Sequence, residues 1–197
     1  MEKRNNKLIQ VLKKHYVNLL IFGFALTILI VPEAKVLLQQ GLMKVGLFQP
    51  SIEKVEPKIN STNSNFTLIN HSGEAVQMQE LKGKIVFVNF WATWCPPCLA
   101  EMPTIQTLAE NFKNDDRYVF LLVEVESNNP KAQNILDKRN IDLPLYFPYT
   151  NIPDNLYKGT LPTTIIFDKE GNLVFQEAGM ANYASSKMIT FMHELSQ

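Results

Sequence analysis

With 197 residues, 46% of them hydrophobic, the chain is long enough to bury one good core and to carry an appendage. Nineteen Lys and Arg balance nineteen Asp and Glu, which excludes nucleic acid or any other partner selected by net charge. There is no internal repeat and no low-complexity tract.

The charge is unevenly placed. Lys3, Arg4, Lys7, Lys13 and Lys14 cluster ahead of an uncharged stretch at 15–32 rich in Leu, Ile, Val and Phe, with Glu2 alone opposing them. As a helix rising about 1.5 Å per residue that stretch is about 27 Å long, against a hydrocarbon core of about 30 Å. It reads as a basic tail at 1–14 and a transmembrane anchor at 15–33. The positive-inside rule keeps the tail in the cytoplasm and sends everything after the anchor to the outer face. A cleaved signal peptide competes, but Pro32 stands two positions before Ala34, where cleavage wants a small residue. Residues 36–48 stay apolar but are broken by Gln39, Gln40, Gly41, Lys44 and Gly46. Two readings are open: a helix at the membrane interface, or an extension of the anchor. Residues 49–65 shift to Pro, Ser, Asn, Glu and Lys, a linker that holds a domain off the membrane. The juxtamembrane segment and linker thus occupy 34–64, and the folded domain 65–197.

Within that domain, Phe66-Thr67-Leu68-Ile69 alternates like a short strand, and His71-Ser72-Gly73-Glu74 turns into a second one at 75–78. The run Ile85-Val86-Phe87-Val88-Asn89-Phe90-Trp91 reads as a strand buried on both faces. Trp94-Cys95-Pro96-Pro97-Cys98 follows directly and holds both cysteines of the chain. Two prolines suit the first positions of a helix, where missing N–H groups cost nothing, so the pair sits at a strand-to-helix junction. The unpaired N–H groups there stabilise an anion, and a thiol so placed ionises more easily, its pKa falling from about 8.5 to between about 3.5 and 7.5. Cys95, nearer the exposed end, is the expected attacking thiol. Cys98, one turn in, is the expected resolving thiol.

Leu99, Met102, Ile105, Leu108, Ala109 and Phe112 recur at helical spacing and form a stripe to pack on a sheet, with Pro103 expected to kink the helix. Residues 118–125 are a further buried strand, and a helix is expected from Asn128-Asn129-Pro130 to about Arg139, closing a right-handed crossover between parallel strands. The Pro-rich, aromatic stretch at 143–157 is open between a specificity loop and an irregular edge of the fold. Residues 163–167 and 173–176 flank Asp168-Lys169-Glu170-Gly171-Asn172 as an antiparallel hairpin, and 183–195 carries a helical pattern. The order is β-α-β-α-β-β-α.

Other uses of two cysteines fit less well. A zinc site needs four ligands, and His15, His71 and His193 stand far off without ligand-like spacing. A structural disulfide closing so short a loop would stabilise little. A redox-active pair is the better reading.

The segment from Val88 through Trp94-Cys95-Pro96-Pro97-Cys98 to Glu101-Met102-Pro103 resembles the membrane-tethered thiol-disulfide oxidoreductases of the TlpA and ResA type, over about residue 65 to the C-terminus. The resemblance implies an α/β thioredoxin fold, a central mixed sheet flanked by helices, behind an N-terminal transmembrane helix. It implies Cys95 as exposed nucleophile and Cys98 as buried partner. It places a cis-proline at Pro162, facing the disulfide, with Leu161 as a backbone clamp for an extended substrate and Trp94 and Pro96 as substrate contacts. Asn89 departs from thioredoxins, which carry a titrating Asp there. ResA-type proteins use a Glu three residues after the second cysteine, which makes Glu101 the expected proton-transfer group; a solvated first-turn Glu is the alternative. Glu124 and Glu126, at the end of the next strand, are candidates to face the site, with solvent-facing loop positions as the expectation.

The function so implied is reduction of protein disulfides outside the cytoplasm, for example in cytochrome c maturation. The protein would sit in the bacterial inner membrane with its catalytic domain periplasmic, without cofactor beyond the Cys95–Cys98 disulfide. Its partners would be proteins with cysteine pairs, a membrane thiol-disulfide electron donor and the lipid bilayer. Alternatives on the same fold are a peroxidase, which would place a Thr two positions further from its cysteine than Thr93 is from Cys95, and a copper-delivery module, which wants wider cysteine spacing and a distal His.

Overall fold

Residues 85–91 are buried on both faces along their whole length because they form the middle of a sheet. The computed structural model describes residues 2–52, 65–126 and 130–197, with side chains from residue 15 onward. Among these, seven strands form one sheet: β1 Thr67–Asn70, β2 Ala75–Gln77, β3 Ile85–Trp91, β4 Tyr118–Glu124, β5 Leu145–Pro148, β6 Thr163–Phe167 and β7 Leu173–Ala178. Their spatial order is β2-β1-β5-β4-β3-β6-β7. Strand β3 runs parallel to β4 and antiparallel to β6, so the sheet is mixed. The helices are α1 Glu2–Ile30, α2 Pro32–Lys44, α3 Pro96–Phe112, α4 Lys131–Lys138 and α5 Ser186–Leu195.

Period-two alternation along β3 sorts its side chains into two cores. Ile85, Phe87 and Trp91 join the stripe of α3 (Met102, Ile105, Leu108 and Phe112) together with Met188 and Phe191 of α5. Val86, Val88 and Phe90 face the other way, onto Phe66, Leu68, Met78 and Leu156. Asn89 falls on the α3 side of this alternation, the one polar residue in β3, and is fully buried.

The expected strands and hairpin are present, the 163–167 and 173–176 pair as antiparallel β6 and β7. The stretch at 143–157, read as irregular, holds strand β5. It pairs antiparallel with β1 and parallel with β4, and four residues ending in Pro148 are too short to show period two without those neighbours. Helix α4 begins at Lys131, after Pro130; Asn128 and Asn129, expected to open it, lie outside the described residues. Helix α5 starts three residues later than the pattern suggested, where Ser185 caps it by accepting a hydrogen bond from the Met188 N–H.

The N-terminal region departs further. The apolar helix ends at Ile30 and not at residue 33, because Val31 precedes a proline and takes an extended conformation (φ −96°, ψ 111°). Pro32 opens α2 at an angle of 102° to α1. Among the described residues no single helix is long and apolar enough to cross a membrane; residues 15–30 and α2 reach that length and composition only as a bent pair. Helix α2 buries Val36 and Met43 in the α3-side core. Beyond it, Phe48 C=O accepts from Asn182 N–H at 2.7 Å and Ser51 N–H donates to Glu177 Oε2 at 3.0 Å. A boundary at residue 65 therefore leaves out two segments that pack on the domain. Of the expected linker, 53–64 lie outside the described residues.

Candidate active site

The end of β3 and the start of α3 place the cysteines. Cys95 is the N-cap of α3, with extended backbone (φ −94°, ψ 97°), and Pro96 and Pro97 fill the first helical positions. Cys98 falls in the first turn, and its N–H donates to Cys95 Sγ at 3.3 Å. The two sulfurs are joined in a disulfide with Cα atoms 5.3 Å apart. Both therefore sit where a helix N-terminus favours negative charge on sulfur once the bond is reduced. The exposed side of the motif is Trp94, 63% accessible; Cys95 keeps only 3% and Cys98 none. Cys95 is thus more covered than an exposed nucleophile should be, and it belongs to the α3-side core. The opening beside it is a groove lined by Pro32, Glu33 and Val36 of α2, by Thr93, Trp94 and Pro96, and by Lys138 and Arg139 at the end of α4.

Glu101 is not a solvated first-turn residue. It lies three positions after Cys98 on α3, fully buried, on the side of the sheet that holds Asn89. Its Oε1 accepts from Asn89 Nδ2 at 2.7 Å, and its Oε2 accepts from Ala181 N–H at 3.0 Å. Asn89 Nδ2 also donates to Thr164 Oγ1 at 2.9 Å, across the β3–β6 register that pairs the two residues. Burial pushes the Glu101 carboxyl up to about 8; the Ala181 and Asn89 bonds pull it down, and Glu177 on β7 adds a smaller upward push. Tyr183, buried beside it, has its phenol raised well above the usual value by burial and by Glu101. Asn89, where thioredoxins carry a titrating Asp, is the side chain that donates to the carboxyl and holds it in place.

The Leu161–Pro162 peptide is cis, as the resemblance implied. Of the two carboxylates expected in solvent, Glu126 is exposed and Glu124 is not. Glu124, at the end of β4 opposite Trp91, is fully buried, and its Oε2 accepts from Glu126 N–H at 3.1 Å. Glu126, though exposed, accepts from the Trp94 indole N–H at 2.6 Å and so belongs to the rim of the motif. Thr164, Glu177 and Ala181 were missed altogether, since only strand register and the turn after β7 bring them to α3.

Comparison with known proteins places the chain in a family. The AhpC/TSA family pattern matches residues 59–176. Thiol-disulfide oxidoreductase ResA of Halalkalibacterium halodurans is 34% identical over 118 residues, 58% of this chain and 65% of that protein. ResA of Geobacillus kaustophilus is 31% identical over 122 residues, 61% of this chain and 70% of that one. Among solved structures, StoA of Bacillus subtilis superposes with a TM-score of 0.51 at 19% identity, covering 70% of this chain and 100% of its own. A thioredoxin-family thiol:disulfide interchange protein of Chlorobium tepidum superposes at 0.52 and 23% identity, covering 74% and 95%. At such identities the structures show the shared thioredoxin-like fold, while the ResA sequences carry the family. The chain therefore belongs to the AhpC/TSA family and, within it, to the ResA-type thioredoxin-like thiol-disulfide oxidoreductases.

Proposed function

We propose that this oxidoreductase reduces disulfides of exported proteins on the outer face of a bacterial inner membrane, apocytochrome c being one such substrate. The observation that carries the reading is the disulfide at the N-terminus of α3 with a buried carboxyl, raised to about 8, one turn beyond Cys98. Cys95 attacks the substrate disulfide as a thiolate and forms a mixed disulfide. Cys98 then attacks Cys95 Sγ, the substrate leaves as a dithiol, and Cys95–Cys98 is restored as a disulfide. Cys98 must lose its proton for that second step, and Glu101 accepts it; near neutral pH a carboxyl titrating at about 8 exchanges protons in both directions. Trp94, Pro96, Leu161 and Pro162 form the surface on which an extended substrate segment lies. The cycle uses no bound cofactor, and electrons return from a membrane thiol-disulfide donor.

The membrane reading rests on α1, whose sequence is basic at its start and apolar thereafter. Large apolar side chains stand exposed along residues 16–31, Leu19, Phe22, Phe24 and Leu29 each by about two thirds, and the basic residues before them set the topology. A cytoplasmic tail at 1–14, an anchor ending near Val31 and an outer catalytic domain follow.

The potential of the Cys95–Cys98 couple tests the direction of transfer. A value near about −270 mV is expected for a reductant, and one near about −120 mV refutes it. Cys98→Ser should accumulate a mixed disulfide with substrate through Cys95, whereas Cys95→Ser should neither turn over nor trap. Equal trapping by both variants contradicts the roles.

A further inference from the structure

Helix α2 has two apolar faces. Val36 and Met43, seven residues apart, lie on one stripe and are buried in the core of the domain. Leu37 and Leu38 lie away from that stripe and are open, Leu37 by 68%; Val45, which caps the helix, is open by 75%, and Leu47 and Phe48 just beyond it are open as well. A run of large apolar side chains of this kind on a folded domain belongs against an apolar medium.

What covers it follows from where the helix is attached. Helix α1 presents the same kind of surface and is joined to α2 through Val31 alone, the two axes meeting at 102°. With α1 across a bilayer, α2 runs along the plane of that bilayer. Lys35 and Lys44 on α2 suit the level of lipid headgroups, anionic ones above all.

We propose that the outer face of α2, with Leu47 and Phe48, lies in the lipid headgroup boundary while its inner face carries the redox domain, which is thereby seated on the membrane instead of held away from it. The inference rests on α1 being the membrane anchor. It also locates the chemistry: Pro32, Glu33 and Val36 wall the same groove as Trp94 and Pro96, the residues flanking Cys95, so the disulfide works beside the lipid surface.

The test uses the full chain in vesicles of phosphatidylcholine and phosphatidylglycerol containing brominated lipids, with one tryptophan added at an exposed position. Leu38→Trp reports on α2, Phe22→Trp on α1 and Tyr149→Trp on the domain surface, each measured against the background of Trp91 and Trp94. Bromine near the headgroup end of the acyl chain should quench the added Leu38→Trp emission at least twofold more than that of Tyr149→Trp. Bromine deep in the chain should quench Phe22→Trp. Quenching at Phe22 with Leu38 no different from Tyr149 overturns the seating alone. Absence of quenching at Phe22 overturns the anchor, and the seating with it.

Discussion

Replacing Glu101 by Gln keeps the shape and one acceptor for the Ala181 N–H but removes the titration. In the folded protein the carboxyl is raised from 4.5 to about 8, so its ionised form is disfavoured relative to the unfolded chain. Protonation therefore stabilises the fold. That contribution is complete below about pH 4.5 and is lost as pH rises towards 8. At about 1.4 kcal/mol per pH unit the full loss is about 5 kcal/mol, of which about 4 falls between pH 5 and pH 9. The disulfide form is the one to measure, because the oxidised cysteines do not titrate. Urea unfolding of the full chain in detergent at both pH values should show Glu101→Gln within about 1 kcal/mol of the parent at pH 5, and more stable than it by about 4 kcal/mol at pH 9. A difference between variant and parent that is the same at both pH values refutes the reasoning, since it would mean that the carboxyl does not ionise inside the fold over this range.

In the reduced protein the same substitution should change the pH dependence of Cys98 alkylation, followed by iodoacetamide labelling with Cys95 already blocked; superimposable curves would remove Glu101 from proton transfer. Met43→Ala should lower stability by about 2 kcal/mol or more, because it deletes a side chain buried between α2 and the domain core. Urea unfolding of the full chain reads this, and a loss below about 0.5 kcal/mol would show that α2 is not part of the cooperative unit.

The chemistry at Cys95 and Cys98 was legible because it is local. A buried strand, two prolines and the N–H groups of a helix's first turn all lie between Ile85 and Leu99, and they fix where the sulfurs sit. Glu101 was half legible. Its spacing from Cys98 is in the sequence, but its surroundings depend on Asn89 and Ala181, which hydrogen-bond to it, and on the charge of Glu177, which strand pairing and the turn after β7 bring in from 12 to 80 residues away. Strand β5 was hidden for a related reason: four residues ending at a proline carry too little alternation, and pairing with β1 and β4 makes them a strand. At α2 the seven-residue spacing of Val36 and Met43 was visible but masked by Leu37, Leu38 and Val45, so nothing local distinguished the side that docks from the side that stays open.

The 2.7 Å bond from the Asn89 amide to Glu101 has a further consequence. Two acids that close would share a proton and titrate as a coupled dyad, with apparent constants belonging to neither. An amide donates without competing for the proton. The proton on Glu101 is therefore not shared with residue 89, and reduction of the disulfide adds the thiols of Cys95 and Cys98 at the start of the same helix.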